Sequence, residues 1–150
     1  MKKTLIIFGG SSTGLEILDT AKNYYRSNYE EIFNVVGDNE NSISDNVLSD
    51  KEIVNFQSNG NIYYIVSMSS QAQRIKCHKL ANEDKFISAS IIHPKSYISS
   101  TAKIGVGVYL AANTVVSSNA EIKNNVIINY NCVIGHDSII HGDVIISPGV

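Results

Sequence analysis

The sequence predicts two folds in succession, an α/β Rossmann-like domain over residues 1–92 and a parallel β-helix over residues 93–150. In the first half, short apolar runs alternate with segments of helical spacing, which is typical of a doubly wound parallel sheet. After His93-Pro94, aliphatic residues recur at every sixth position, a period that neither an α-helix nor a simple β-strand produces. A hexapeptide period indicates a β-helix, in which each repeat forms one short strand and one corner.

The first half is expected to contain four strands and two helices. Apolar runs rich in β-branched residues predict strands over residues 4–8, 32–36, 61–68 and 86–92. Apolar residues at helical spacing predict helices over residues 15–25 and 70–80, with Ser12 or Thr13 capping the first. Residues 39–50 are rich in Asn, Ser and Asp and are expected to form an exposed loop.

The turn between the first strand and the first helix is rich in glycine and hydroxyl side chains. Gly9 and Gly14 stand where the first and last glycines of a dinucleotide-binding loop would stand, and Ser11 replaces the middle one. Backbone N–H groups at the helix start can hold a phosphate, and the hydroxyl groups of residues 11–13 add donors. Asp38, at the tip of the next strand, would reach a ribose hydroxyl or a base edge. The alternative is a tight strand-to-helix turn that binds no ligand.

The second half contains nine six-residue repeats, and two positions of each repeat carry a recurring type of side chain. An aliphatic residue that would point into the prism recurs at Ile98, Ile104, Leu110, Val116, Ile122, Ile128, Ile134, Ile140 and Ile146. A small or β-branched residue stands four positions after each of these, at Ala102, Val108, Thr114, Ala120, Val126, Cys132, Ser138, Val144 and Val150. Corner residues suited to positive φ are Gly105, Gly107, Asn113, Asn119, Asn125 and Asn131. At about 18 residues per coil this makes roughly three coils. The pattern stops without a capping segment, so we expect a chain truncated at its C-terminus.

The composition argues against several classes of protein. A formal net charge of -2 leaves no electrostatic footprint for nucleic acid or for an anionic membrane. No uninterrupted apolar run reaches the roughly 18 residues of a transmembrane helix, and the apolar start is too short for a signal peptide. Cys77 and Cys132 lack metal-ligand spacing. We therefore expect reduced thiols, no bound metal and a cytoplasmic protein.

Four stretches of the chain point to a family. They are FGGSSTG after the first strand, VVGD at the end of the second, IHPKSYISSTAKIG at the start of the prism, and IINYNCVIGHDSIIHGDVIISPG. On these stretches the chain resembles the NeuD/PglD-type sugar acetyltransferases. The resemblance implies a left-handed β-helix, acetyl-CoA as donor, and a homotrimer whose active sites lie where adjacent β-helices meet. The implied acceptor is an amino group on a UDP- or dTDP-linked 4-amino-4,6-dideoxy sugar in surface glycan biosynthesis. In the O-acetylating branch of the family it is a sialic acid hydroxyl.

The same resemblance implies the roles of individual residues. His136 matches the general base, Asp137 the acidic residue that holds it, and Asn129 an active-site asparagine. Gly10, Ser11 and Asp38 match positions that meet the nucleotide. Together with the hydroxyl residues of the glycine loop, the expected substrate-binding set is Gly10, Ser11, Ser12, Thr13 and Asp38. The chain departs from the family pattern at Thr13 and Ile145, where histidines are usual.

The chemistry requires a base, because an ammonium ion has no lone pair with which to attack a thioester. A histidine with an ordinary pKa near 6.5 can take the amine's proton around neutral pH, and Asp137 would fix its tautomer. Backbone N–H groups at the corners would stabilise the developing oxyanion. A solvated polar turn is the alternative reading of the pair. His141 would be the next candidate base, whereas His93 is expected to be structural and His78 solvated.

Two other functions remain open at this point. The residues do not distinguish an amine acceptor from a hydroxyl acceptor, so O-acetylation of a sialic acid or a related sugar is possible. A trimer that binds a nucleotide-linked sugar without transferring acetyl is the alternative from a different class, and the departures at Thr13 and Ile145 favour it.

Overall fold

The computed structural model describes residues 2–36, 47–56 and 60–150. The chain divides into two compact units, Met1–Ser88 and Ala89–Val150. The boundary precedes Ile91–Ile92, which the sequence analysis placed in the first domain. These two residues pair with Tyr109 and Leu110 and so form a strand of the β-helix.

The N-terminal unit contains a five-stranded parallel sheet. Its strands are β1 (Lys3–Phe8), β2 (Glu31–Val36), β3 (Val47–Ser49), β4 (Asn61–Val66) and β5 (Ile87–Ser88). They lie in the order β3-β2-β1-β4-β5 with parallel pairing. The strand order reverses between β1 and β4, and in doubly wound sheets ligands bind at the carboxyl ends of such a pair.

Helices cover both surfaces of this sheet. They are α1 (Ser12–Tyr24), α2 (Asp50–Val54) and α3 (Gln71–Glu83). On one surface, Ile6 and Val35 join a core cluster with Ile53 of α2 and Ala81 of α3. The alternate residues of the central strands, such as Leu5, Ile7 and Ile65, are buried as well. The inward residues Ile17 and Ala21 of α1 are also buried. Burial on both surfaces explains why the central strands are continuous apolar runs.

Three sequence expectations about this unit are wrong. Residues 47–50 are not loop: they form β3 and the start of α2, because Ser49 and Glu52 make a capping box that fixes the helix N-terminus. Residues 39–46 of the expected loop lie outside the described residues. The first helix begins at Ser12, so Ser12 and Thr13 occupy its first turn and Ser11 takes the N-cap position without a side-chain capping bond.

The fourth expected strand, over residues 86–92, is also divided. Ile87–Ser88 pairs with β4, whereas Ile91–Ile92 pairs within the β-helix. The sequence pattern could not separate them because two short β-rich runs follow each other without a glycine or proline between them.

The C-terminal unit is a parallel β-helix made of two-residue strands on three faces. Face 1 consists of β7 (Tyr97–Ile98), β10 (Val115–Val116) and β13 (Val133–Ile134). Face 2 consists of β8 (Lys103–Ile104), β11 (Glu121–Ile122) and β14 (Ile139–Ile140). Face 3 consists of β6 (Ile91–Ile92), β9 (Tyr109–Leu110), β12 (Ile127–Ile128) and β15 (Ile145–Ile146). Paired residues such as Tyr97, Val115 and Val133 are one coil apart, which confirms the predicted coil of about 18 residues.

The two repeated positions build the core of the prism. The inward cluster contains Val108, Leu110, Val116, Ala120, Ile122, Val126, Ile128, Cys132 and Ile134, each almost fully buried. The Sγ–H of Cys132 donates to the Ser147 carbonyl at 3.1 Å, which agrees with its interpretation as core filling. Stacked aliphatic side chains make a rigid support for whatever the corners carry.

The corners contain a left-handed residue at every sixth position from residue 107 to residue 149. These residues are Gly107, Asn113, Asn119, Asn125, Asn131, Asp137, Asp143 and Gly149, with φ between 58° and 70° except for 76° at Gly149. Gly105, expected in this set, is not left-handed. A Cβ there would lie 2.5 Å from Asn124 Oδ1, so close packing explains this glycine. Asp137 and Asp143, the two acidic members of the series, were not predicted as left-handed residues.

Among the helices in the described ranges, none has the length and apolar character needed to cross a membrane.

Candidate active site

His136 and Asp137 form a hydrogen-bonded pair on the corner between face 1 and face 2. His136 Nδ1 lies 2.7 Å from Asp137 Oδ2, and the two side chains are 80% and 65% exposed. An ionised carboxylate can only accept, so Nδ1 is the donor. In the neutral ring Nε2 is then the atom that accepts a proton, which is the arrangement of a histidine general base.

Asp137 is fixed by three hydrogen bonds. Its backbone N–H donates to the Ser118 carbonyl at 3.0 Å, and Asn119 Nδ2 donates to Asp137 Oδ1 at 3.1 Å. The third bond is the one from His136. The hydrogen bonds from His136 and then from Asn119 lower the pKa of the Asp137 carboxyl below its usual value. At neutral pH the side chain is therefore ionised and serves as an acceptor.

Asn129 does not lie beside the dyad within one chain. It precedes β13, whereas His136 follows it, so the two residues occupy the two corners that bound face 1. β13 lies between them, so the two side chains are not neighbours within one coil. The Asn129 amide donates to the Ile146 carbonyl at 2.7 Å, which ties one coil to the next. The structure shows this structural role directly.

The remaining histidines have surroundings of their own. His141 is exposed on the corner between face 2 and face 3, at the other end of β14. His93 Nδ1 accepts from the Lys95 N–H at 3.1 Å, and burial followed by the Lys95 charge lowers the His93 pKa. The expectation of a solvated His78 is wrong. Its Nδ1 lies 3.2 Å from the Tyr64 hydroxyl oxygen, because α3 packs this side against β4.

The glycine loop connects β1 to α1 at the carboxyl edge of the sheet. Gly9 has φ +129°, which disfavours any residue with a Cβ, and a Cβ on Gly14 would lie 1.9 Å from the Gly9 carbonyl oxygen. The first α-helical bond runs from the Leu15 N–H to the Ser11 carbonyl at 3.0 Å. The N–H groups of residues 12–14 precede this bond, as expected of an anion-binding helix start. Ser11 and Ser12 are exposed at this edge.

Two buried polar residues that the sequence analysis missed hold this loop. Asn34 is 1% exposed, and its Nδ2 donates to the Gly9 carbonyl at 2.9 Å. The Ser67 hydroxyl donates to the Phe8 carbonyl at 2.9 Å. Asn34 had a sequence signal, since it is the single polar residue inside the apolar run of β2. The backbone of the loop is thus fixed from both neighbouring strands.

The other expected binding residues have different outcomes. Asp38 lies outside the described residues. A Cβ on Gly10 would lie 2.8 Å from Val36 Cγ2, so the loop runs close to the end of β2 at this glycine. Thr13 is half-buried in the first turn of α1, and Ile145 starts β15 on face 3. The loop belongs to the N-terminal unit, whereas the dyad belongs to the C-terminal unit.

One cavity of the N-terminal unit lies away from the glycine loop. It has a volume of about 490 Å³ and is lined by residues such as Asn61, Asp84 and Ile87, at the amino ends of β4 and β5. Within residues 2–36, 47–56 and 60–150, no group of three or more His, Cys, Asp or Glu side chains is arranged to hold a metal ion.

Solved structures similar to this chain are acetyltransferases. The acetyltransferase domain of PglB from Neisseria gonorrhoeae matches with a TM-score of 0.84 and 25% identity over 97% of this chain and 71% of that chain. A structure of that domain with acetyl coenzyme A matches with a TM-score of 0.59 and 18% identity over 97% of this chain and 76% of that chain. No family model matches the chain, and no curated protein does.

Two further structures share the fold at lower identity. WeeI from Acinetobacter baumannii matches with a TM-score of 0.83 and 19% identity over 95% of this chain and 68% of that chain. PerB from Caulobacter crescentus, solved with CoA and GDP-perosamine, matches with a TM-score of 0.61 and 13% identity over 96% of this chain and 91% of that chain.

The predicted resemblance to acetyltransferases is confirmed by the PglB domain, and WeeI and PerB share the fold. The likeness covers nearly the whole chain, so it includes both the sheet and the β-helix. The acetyltransferase fold therefore comprises the glycine loop and the dyad corner alike. The residue roles predicted within it remain predictions.

Proposed function

We propose that this protein is an acetyl-CoA-dependent N-acetyltransferase acting on a nucleotide-linked amino sugar of the 4-amino-4,6-dideoxy type, in surface glycan biosynthesis. The observation that carries the proposal is the exposed His136–Asp137 pair on a rigid corner of a fold whose structural relatives are acetyltransferases. The predictions of an acyltransferase and of acetyl-CoA as its cosubstrate are confirmed by these relatives. The sugar, its UDP or dTDP nucleotide and the left-handed coil belong to the proposal.

The reaction follows from the geometry of the dyad. The amino group of the sugar attacks the thioester carbonyl, and His136 Nε2 takes the proton that the nitrogen loses. Asp137 Oδ2 accepts from Nδ1 and stabilises the imidazolium as it forms. A carbon–nitrogen bond forms, the carbon–sulfur bond breaks, and coenzyme A leaves as a thiolate that takes up a proton. No side chain has to act as a nucleophile.

The nucleotide is assigned to the glycine loop. α1 has 13 residues and a first turn with no acidic side chain, so its N-terminal N–H groups can face a phosphate. The hydroxyl groups of Ser11 and Ser12 are exposed beside them, and the loop lies at the switch point between β1 and β4. Gly10, Ser11, Ser12 and Thr13 are the proposed contacts, with Asp38 as the proposed partner of the ribose or the base.

The proposal includes a homotrimer. Asn129 and His136 lie at opposite edges of face 1 and can join in one site only if a second copy supplies one of them. Face 1 itself is suited to association. Its outward residues Tyr97 and Val133 are 62% and 63% exposed, and Val115 lies between them. An exposed apolar stripe of this kind marks an interaction surface, and cyclic homo-oligomers bury such stripes.

A non-catalytic trimer that binds the nucleotide-linked sugar is the second candidate. The observation that favours it is the presence of Thr13 and Ile145 where the resemblance implies histidines. If this candidate is correct, the His136–Asp137 pair is a solvated corner. Replacing it would then have no effect on acetyl transfer, because the protein transfers no acetyl group.

Thiol release from acetyl-CoA tests the proposal. The protein is assayed with UDP-, dTDP- and GDP-linked 4-amino sugars and with sialic acid, as wild type, His136→Ala and His141→Ala. We expect turnover with an amino sugar, a loss of at least about a hundredfold in His136→Ala, and little change in His141→Ala. Turnover with sialic acid alone would replace N-acetylation by O-acetylation. Nucleotide-sugar binding without turnover on any acceptor would establish the scaffold instead.

A further inference from the structure

We propose that Asn119 is a positioning residue for the base: its amide orients the Asp137 carboxylate and thereby fixes which nitrogen of His136 carries the proton. The inference rests on the proposed function, because it concerns the base of that reaction. It assigns a role to a residue that the sequence analysis treated only as a corner asparagine.

Two donors bind opposite oxygens of one carboxylate. Asn119 Nδ2 lies 3.1 Å from Asp137 Oδ1, and His136 Nδ1 lies 2.7 Å from Asp137 Oδ2. Since a carboxylate has no proton to give, Asn119 must present its nitrogen. The carboxylate cannot rotate about its Cβ–Cγ bond without breaking one of the two bonds. Oδ2 therefore stays directed at Nδ1, and Nε2 stays unprotonated toward solvent in the neutral ring.

Asn119 is held in place by the coil below it. Its backbone N–H donates to Thr101 Oγ1 at 3.0 Å, and its φ of 58° nearly equals the 59° of Asp137 one coil further on. The Asp137 N–H donates to the Ser118 carbonyl, so the two corners are stacked in register. The two left-handed residues thus occupy equivalent positions of stacked corners, and their side chains meet in the hydrogen bond from Asn119 Nδ2 to Asp137 Oδ1. The amide is thus aligned with the carboxylate before any substrate binds.

No other charged group belongs to this corner of the fully described β-helix. The equivalent positions of the preceding coils carry Ser99, Ser100, Thr101 and Ser118, which are all uncharged. The hydrogen bond from Asn119 is the second-largest cause of the lowered Asp137 pKa, after the bond from His136. A change at residue 119 therefore acts on the dyad directly, without a competing charge.

The chain offers a control on the corner between face 2 and face 3. Asn125 and Asp143 are both left-handed there, with φ of 60° and 63°, and the Asp143 N–H donates to the Asn124 carbonyl at 3.1 Å. This is the backbone stacking of Asn119 and Asp137, at a corner that does not bound face 1 and so lies outside the proposed shared site. Asn125→Gly therefore removes an equivalent side chain while keeping the left-handed backbone, since glycine adopts it without strain.

The test compares Asn119→Gly with Asn125→Gly and Asn119→Asp with Asn125→Asp. We expect Asn119→Gly to lower kcat about five- to tenfold with KM changed by less than about twofold, and Asn125→Gly to leave both unchanged. Asn119→Asp places a second carboxylate beside Asp137, which favours the protonated imidazole. The acidic limb of the kcat/KM profile should then move up by about 0.5–1 pH unit, with no such movement in Asn125→Asp. Thermal unfolding of all four variants shows whether any of them fails to fold.

A second readout does not depend on activity. The ¹⁵N shifts of the His136 ring report its tautomer whenever the ring is neutral, so they are followed across a pH series. We expect protonated Nδ1 in the wild type and a mixture of tautomers in Asn119→Gly. An unchanged tautomer and an unchanged pH profile in the Asn119 variants would overturn the inference. A wild type without turnover, but with the expected tautomer change, would refute the proposed function and leave the positioning role intact.

Discussion

At the scale of single residues, the dyad depends on a backbone conformation that few side chains tolerate. Asp137 has φ 59°, and it shares this left-handed region with the asparagines at the same position of other coils. Asn and Asp are the common non-glycine residues there, since their short polar side chains bond locally. The corner thus accepts an aspartate without added strain and holds it next to an exposed histidine. The repeat itself provides the geometry that the chemistry requires.

The sequence predicted the pairing of His136 with Asp137 but not the residues around it. Adjacent residues at a corner can be expected to touch, whereas contact between Asn119 and Asp137 follows only from the stacking of coils. Asn34 was missed because its partner, the Gly9 carbonyl, is 25 residues away in the chain. Asn129 was given an active-site role by resemblance, and its bond to Ile146 appears only in the structure.

Replacing Asp137 by asparagine tests the carboxylate without removing a side chain. The amide has nearly the same shape but lacks the charge that stabilises the imidazolium, so we expect kcat to fall by about thirty- to a hundredfold at pH 7.5. The fall is smaller than for a fully buried triad because the pair is exposed. Steady-state thiol release measures it. A variant with wild-type kcat would show that Asp137 does not assist the base.

At the scale of elements, the hexapeptide period predicted the β-helix well because each repeat carries its own packing rule. The alternating first half was predicted less well. β3 has three half-buried residues, too few for a strand pattern, and residues 47–49 follow a polar segment. The capping box between Ser49 and Glu52, at the start of α2, could nevertheless have been predicted from the sequence Ser-Asp-Lys-Glu. The prediction of a single strand over residues 86–92 was wrong for a different reason, since these residues belong to two sheets.

Face 2 carries a charge ladder whose effect on stability depends on pH. Glu121 accepts hydrogen bonds from Lys123 and Lys103, and these bonds lower its pKa from 4.5 to about 2. A carboxylate whose pKa is lower in the folded state adds stability above its unfolded pKa. This contribution disappears as the pH falls through the folded value. The relevant window is therefore between pH 4.5 and about 2.

Glu121→Gln is expected to lower Tm by no more than about 2 °C at pH 6, because all three side chains of the ladder are at the surface. The difference from wild type should shrink as the pH is lowered through the window and should also shrink in about 1 M salt. Thermal unfolding followed by circular dichroism gives both dependences. A Tm difference that persists at pH 2 would mean that packing, not charge, is responsible.

At the scale of the whole molecule, the proposed site requires more than one copy of the chain. Face 1 exposes Tyr97 and Val133, whereas the outward residues of face 2 include Lys103 and Glu121. The composition gave no sign of this asymmetry, because it appears only when residues 18 apart are placed on one face. The family resemblance implies a trimer, and face 1 is the contact surface that we propose for it.

Val133→Glu is expected to convert the trimer to monomers at micromolar concentration, because it places a charge inside the proposed interface. Ile139→Glu is the control, since Ile139 is also exposed, at 53%, but lies on face 2. Sedimentation velocity measures both variants beside the wild type. A monomeric wild type, or dissociation by Ile139→Glu alone, would show that face 1 is not the interface.

Mixing two inactive variants shows whether His136 of one copy and Asn129 of another form one acetyl-transfer site. His136→Ala and Asn129→Ala are each purified, shown to be inactive, and combined as unfolded chains that refold together in equal amounts. Random trimers should recover about a quarter of the wild-type kcat, because a site is intact whenever neighbouring copies carry complementary defects. No recovery would mean that both residues act within one chain. An active Asn129→Ala would restrict Asn129 to its bond with Ile146.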